Sequence, residues 1–217
     1  MTSMDDFKPP PIFPAPLSEL FTTEHLLVRR IVEADLDSLR PTLEDPDVAT
    51  WFGRDKPVDP QAAVDSAIAQ WEAQVAWNFT IIETESQHVV GYTGISLEPR
   101  EGGAGGWQVE PAIAVAPDYR RQQYATEAMR GLVGWSFTDL ECPTGITMDE
   151  VRAACLPDNE KSIGLLRKLA DSGMKDHGEQ AVTVKHPGPG EPQTRIARVF
   201  SVTREDYEQK DHGASPR

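Results

Sequence analysis

The sequence predicts a mixed α/β domain. Segments of strand and helix periodicity alternate in the order β-α-α-β-β-β-α-β-α-β-β, with hairpin-like pairs in the middle and crossovers after them. The length, 217 residues and 24.0 kDa, fits one domain of ordinary size with tails, enough to bury a core without staples. Hydrophobic residues make up 39% and charged residues 26%, the balance of a globular chain.

The first twenty residues hold five of the 18 prolines: Pro9, Pro10, Pro11, Pro14 and Pro16. Successive prolines favour extended, polyproline-like chain, so residues 1–20 read as an arm outside the core. The spacing from Pro11 to Pro14 suits a partner groove or a plain semi-rigid tail. Residues 25–31 read as a strand with Leu26, Val28 and Arg30 on one face. Residues 33–43 read as a helix, with Leu36 and Leu39 three apart and Pro41 blurring its end. Asp59 followed by Pro60 is a helix start, and that helix runs to about residue 75. Residues 77–83 and 88–97 read as paired strands across a polar turn. The glycine-rich run 101–106 reads as a loop, and 107–115 as another strand. Residues 125–137 read as a helix with Ala125, Ala128, Met129, Leu132, Val133 and Phe137 along one side. A short strand over 151–156, a helix over 159–169 and a final strand over 194–203 follow. In the last, Ile196, Val199 and Val202 alternate against Arg195 and Arg198. Residues 209–217 form a polar tail, which leaves 21–208 as one domain.

Charge excludes several functions. Lys+Arg 21 against Asp+Glu 35 gives −14, with a pI near 4.7. A general nucleic-acid binder needs a basic face, and a polybasic membrane anchor needs a basic cluster. Two cysteines, Cys142 and Cys155, are too few for a disulfide framework or a structural zinc site, so no metal is expected. No apolar run reaches the ~18 residues of a membrane span, and the acidic, proline-rich start has no signal-peptide pattern. The expectation is a soluble cytoplasmic enzyme or binding domain.

The most informative stretch is 107–128. A strand ends at Pro117, and a short polar loop, 118–123, runs directly into an alanine-rich helix. Such a loop turns amide N–H groups toward the helix N-terminus and makes an anion site. Arg120 and Arg121 give residues 117–130 a net +1 in an acidic chain, while 139–160 carry −5. That suits a polyphosphate ligand, and it also suits a solvated surface loop. Pro111 cannot donate to a ladder, so it implies a break in pairing or an edge strand.

These residues resemble a family. Arg120, Arg121, Gln122, Gln123, Tyr124 and Ala125, followed by Thr126, Glu127 and Ala128, resemble the acetyl-CoA signature of the GNAT superfamily, Gln/Arg-x-x-Gly-x-Gly/Ala. Asn159 to Ser162, then Leu165 to Leu169, resemble a segment of its RimJ/RimL-like branch. The opening 22–30 and the ending 200–207 resemble that branch's first and last strands. The resemblance covers roughly 20–207. Two positions depart from it: Gln123 stands at the signature glycine, and 168–174 is altered and lengthened.

The resemblance implies a central, mostly antiparallel twisted sheet of about seven strands, splayed between its fourth and fifth, with helices on both faces. It implies acetyl-CoA as acyl donor. Ile113, Ala114 and Val115 would pair with the pantetheine arm. The loop of Arg121, Gln122, Gln123, Tyr124, Ala125 and Thr126 would hold the pyrophosphate by its amides, with Arg120 also in the cofactor site. Asn159 would bond the pantetheine or cap its helix. Glu110 would accept the ammonium proton of an amine, and Ser162 would orient water or the thiol. Leu166 stands where many members have a tyrosine. Trp51 and Phe52 would shape the acceptor site or pack in the core. The acidic residues around 41–59 would suit a cationic acceptor or be a solvated surface. The expected function is acetyl transfer to a primary amine, on a protein N-terminus or a small molecule, by a monomer or homodimer. A CoA-binding regulatory or degenerate module, and a peptide-binding protein using the proline arm, are the competing readings.

Overall fold

The computed structural model describes residues 19–73, 76–99, 106–138, 148–184 and 193–211. The arm's prolines, residues 101–105, Cys142 and the last six residues of the tail lie outside the described residues. The strands are β1 Glu19–Thr22, β2 Leu26–Arg30, β3 Trp77–Glu83, β4 Val89–Pro99, β5 Trp107–Val115, β6 Met148–Cys155, β7 Lys175–Val184 and β8 Gln193–Thr203. They form one sheet in the order β1-β2-β3-β4-β5-β6-β8-β7. Every pairing is antiparallel except β5 with β6. The helices are α1 Leu36–Leu43, α2 Pro46–Trp51, α3 Pro60–Ala73, α4 Tyr124–Thr138, α5 Glu160–Arg167 and α6 Arg204–Asp211.

Alternation along the strands feeds two cores, one on each sheet face. Leu26, Val28, Phe79, Ile81, Val109 and Val151 are fully buried against Ala128, Leu132 and Val133 of α4. The other face puts Tyr92 and Ala114 under Leu39 and Leu43 of α1, Val48 of α2 and Val64 of α3. Each such large side chain contributes about 1.5–3 kcal/mol. Helices on both faces and the mostly antiparallel sheet are as the sequence predicts.

Three elements differ from the sequence reading. The sheet begins at Glu19, inside the stretch read as arm, so it has eight strands. Helix α2 starts at Asp45, whose carboxylate accepts from the Asp47 amide at 2.8 Å, with Pro46 at the first helical position. Helix α6 starts at Thr203, whose hydroxyl accepts from the Asp206 amide at 3.1 Å. The lengthened segment after α5 is a 3-10 turn, Lys168–Ser172. Gly173 closes it at φ +88, where a Cβ would meet the Asp206 carbonyl at 3.1 Å.

A buried ion pair fixes the start of α1 to the sheet. Asp35, 4% exposed, accepts from both terminal nitrogens of Arg29 at 2.8 and 2.6 Å. It also accepts from the Val32 amide at 3.0 Å and the Thr80 hydroxyl at 2.8 Å. Burial alone would raise its pKa; the Arg29, Val32 and Thr80 bonds outweigh that and hold it below the usual carboxylate range.

Candidate functional site

The cleft arises from how β5 spends its backbone. Its ladder with β4 is continuous, with Ile95 opposite Pro111 and Tyr92 opposite Ala114. The Ala116 amide donates to the Val90 carbonyl at 2.8 Å. In an antiparallel pair, bonded positions alternate. Glu110, Ala112 and Ala114 therefore turn their backbone groups to β4, and Pro111, Ile113 and Val115 turn theirs the other way. On that other side β6 pairs only as far as Val109 with Val151. The fourth and fifth strands of the sequence reading, β5 and β6, are splayed as expected. Pro111 lacks its N–H on the side where no ladder runs, so the break falls on the β6 side and the β4 side is intact.

Ile113 and the Val115 N–H thus present open backbone to the cleft. Ala114 differs from expectation: its backbone faces Tyr92, and its methyl is 7% exposed in the second core. The Val115 carbonyl accepts from Arg120 Nε at 3.2 Å.

A 3-10 turn, Pro117–Tyr119, leads into the anion turn. Arg121 and Gln123 have φ +64 and +68. Left-handed residues on either side of Gln122 gather successive amides on one side, as anion-cradling turns do. The Glu127 amide bonds the Gln123 carbonyl at 3.0 Å, which leaves the first-turn amides of Tyr124, Ala125 and Thr126 outside the helical ladder. The side chains of this segment are otherwise engaged. Gln122 Nε2 donates to the Asp118 carbonyl at 3.2 Å. The Thr126 side chain is buried. Tyr124 is buried too, and its hydroxyl donates to Glu83; that carboxylate pushes the phenol up to about 12.

Arg120 is engaged within the protein. Its guanidinium donates to Asp45 and lies 3.7 Å from Asp47, so its charge is spent within the protein. Arg121 is exposed and has no ion pair among the described residues, so it is the cation left for an anion at this turn. Gln123 departs from what its side chain favours. Its φ is left-handed, as the signature glycine's would be, where ordinary negative φ would suit a glutamine. The side chain is accommodated at the cost of backbone strain. Gln123→Gly is expected to raise stability by about 1 kcal/mol, read by urea unfolding, and to change CoA affinity by no more than about tenfold. A glycine variant less stable than wild type would show that the glutamine side chain holds the turn.

Glu110 lies on β5 opposite Ser96, one residue past the last β5–β6 pair. Its face of the sheet is the one covered by α1, α2 and α3, and it shares that face with Ala112 and Ala114. Trp51 ends α2 and Phe52 follows; the Phe52 ring stacks on Tyr92 at 6.2 Å and 30°. Glu110, Trp51 and Phe52 are therefore brought to one side of the sheet. The acidic residues around 41–59 are mostly occupied. Asp45 and Asp47 take Arg120 and Lys161, Glu44 takes Arg40 at 3.1 Å, and Asp59 accepts from the Ala62 amide at 2.8 Å.

Across the splay, Cys155 stands level with Ile113, counting on from the Val109–Val151 pair. Burial pushes its thiol pKa up, which argues against a nucleophile. Four residues later Asn159 caps α5: its Oδ1 accepts from the Ser162 amide at 3.1 Å. Asn159 is 4% exposed, and its Nδ2 has no partner among the described residues. It therefore caps its helix and keeps a donor for a ligand. Leu166 is a core residue at 4% exposure. No group of acidic, histidine and cysteine side chains suited to a metal occurs among the described residues. No helix among them is long and apolar enough to cross a membrane.

Residues missed from sequence are Asp45, the partner of Arg120, and Tyr92, the floor under Phe52. The first carried a signal, since Asp45 precedes Pro46 as Asp59 precedes Pro60.

The profile of the acetyltransferase (GNAT) domain matches residues 25–170. No curated protein sequence matches significantly. The structure is similar to several solved ones. A spermidine N-acetyltransferase from Vibrio cholerae, in complex with CoA and spermine, aligns at TM-score 0.64 and 13% identity, over 86% of this chain and 99% of that one. A ribosomal-protein-S5-alanine acetyltransferase from Vibrio fischeri aligns at 0.59 and 18%, over 86% and 97%. RimJ from Mycobacterium smegmatis, in complex with CoA-disulfide, aligns at 0.60 and 18%, over 86% of each chain. At these identities the likeness is one of fold.

Proposed function

Because the chain belongs to the acetyltransferase (GNAT) domain family, we propose that it is an acetyl-CoA-dependent N-acetyltransferase acting on a primary amine. One observation carries the reading: β5 leaves β6 after Val109 and runs, with open backbone at Ile113 and Val115, straight into a turn of unpaired amides. A pantetheine arm pairs with an open strand edge, and a pyrophosphate sits at a helix N-terminus. The amides of 122–126 and the Arg121 cation hold the phosphates, and Asn159 Nδ2 donates to the arm. The Ile113 N–H supports the thioester oxygen as charge develops on it.

The amine reaches the thioester from the face of Glu110. A primary amine is largely ammonium near neutral pH. Glu110 takes the proton, directly or through water, and the neutral amine attacks. Trp51 and Phe52 form the apolar wall of that approach. Ser162 stands at the first turn of α5 to orient water or the departing thiol. The amine is that of a protein N-terminus or a small molecule; two proteins of similar fold named above, a ribosomal-protein-S5-alanine acetyltransferase and a spermidine N-acetyltransferase, are the precedents for a protein and a small-molecule acceptor. The protein works in the cytoplasm as a monomer or homodimer, without a metal.

A second reading is a CoA-binding module without turnover. Leu166 favours it, because a buried leucine stands where many members place a tyrosine that can protonate the thiolate.

Thiol release from acetyl-CoA, screened against amines and N-terminal peptides, separates the two readings. CoA itself is expected to stabilise the fold by about 2.7 kcal/mol at a hundredfold excess over Kd, or roughly 5–10 °C for a chain of this size. Absence of both a thermal shift and calorimetric heat at millimolar CoA would sink both readings.

A further inference from the structure

Three segments with candidate ligand contacts meet at one charge cluster. Arg120 folds back on the end of β5, bonding the Val115 carbonyl at 3.2 Å, and the same guanidinium donates to Asp45. Asp45 is also the cap of α2, through its other oxygen and the Asp47 amide at 2.8 Å. Asp47 accepts from Lys161 of α5 at 3.1 Å. The Asp45 and Arg120 side chains are 9% and 29% exposed, whereas Asp47 and Lys161 are 56% and 70%. The Asp45–Arg120 pair therefore carries most of the interaction, because exposed pairs contribute little.

Helix α2 needs such a tie. It has six residues and buries only Val48 and Ala49, too little to hold a helix that short. Its first residue is tied through Asp45 to the anion turn. Its last residue, Trp51, and Phe52 just after it form the apolar wall on the Glu110 face, with Phe52 seated on Tyr92.

We propose that Asp45 and Arg120 are positioning residues that couple occupancy of the 120–126 turn to the placement of the Trp51–Phe52 wall. The proposal rests on the acyltransferase reading. A bound phosphate fixes the turn, the fixed turn holds Arg120 against the Val115 carbonyl, and Arg120 holds α2 by its cap.

Amide hydrogen exchange over residues 46–52, measured with and without CoA beside calorimetry, tests this. In wild type, CoA slows exchange there by about fivefold or more, the size of ordinary coupling. Asp45→Ser keeps a capping oxygen for α2 but is too short for Arg120. Arg120→Lys keeps the charge but cannot fork onto both the Val115 carbonyl and Asp45. In both variants CoA still binds and the CoA-dependent slowing disappears. A merely structural role would speed exchange equally with and without CoA. Slowing that persists in Asp45→Ser and Arg120→Lys, or is absent in wild type that binds CoA, overturns the coupling and leaves the acyltransferase reading standing. Wild type that binds no CoA overturns both.

Discussion

Glu110→Gln is expected to lower turnover by roughly 10²–10⁴-fold while CoA affinity stays near that of wild type. The substitution keeps size and shape and removes the charge and the ability to take a proton. The cofactor contacts proposed above are backbone groups of Ile113 and Val115 and the amides of 122–126, and none of them is on Glu110. A loss confined to turnover would follow. Because the ammonium must be deprotonated before attack, the residual rate of the variant should rise with pH as free amine accumulates. Wild type should plateau earlier. Measurement of kcat and kcat/KM across pH, with the acceptor found by thiol release, decides it. Equal profiles for the two proteins would assign the base to water or another group.

Asp35→Ala is expected to destabilise the fold by about 3–5 kcal/mol, the cost of leaving a largely buried partner charge unpaired. Arg29 is 24% exposed at its side chain and both its terminal nitrogens bond Asp35, so it would lose its counter-ion in a site water reaches poorly. Thr80 and the Val32 amide would lose their acceptor as well. The pH dependence has a definite sign. The folded pKa of Asp35 is depressed, so its contribution is complete above the unfolded value near 3.9 and is lost as pH falls through the lower folded value. Wild type should therefore lose Tm faster than Asp35→Asn between about pH 4 and the acid transition. Parallel acid limbs would mean that the ionised carboxylate contributes nothing beyond its shape.

Strand positions were the most legible part of the fold. β3 and β5 fall on the residues predicted, because aromatic and β-branched residues alternate there between turn-forming ones. Short elements were not. β1 has four residues and α2 six, fewer than either periodicity needs to declare itself. Capping chemistry was the better signal for them: Asp45 before Pro46 marks α2, and Thr203 before Glu205 and Asp206 marks α6. In the candidate site, the strand–turn–helix order was visible and the roles of its side chains were not. Arg120 read as a phosphate cation because its partner, Asp45, lies 75 residues away in sequence. Gln123 gave no sign of its left-handed backbone in sequence, because glutamine avoids positive φ. The turn geometry imposed by β5 and α4 overrides that local preference.

The proline in β5 has a kinetic consequence. Two parallel strands that part company offer each other unpaired backbone, and thermal motion tends to zip them together. Pro111 is a missing tooth on that side: beyond Val109 and Val151 it offers a carbonyl but no N–H, so the zipper lacks its next donor from β5. An entering arm then has no inter-strand bonds to prise open, and no closed population must wait before it can bind. Capture at such an edge is a matter of encounter and orientation, with its observed rate rising in proportion to ligand concentration. The open edge is written into the covalent chain at one residue, so it is present before any ligand arrives.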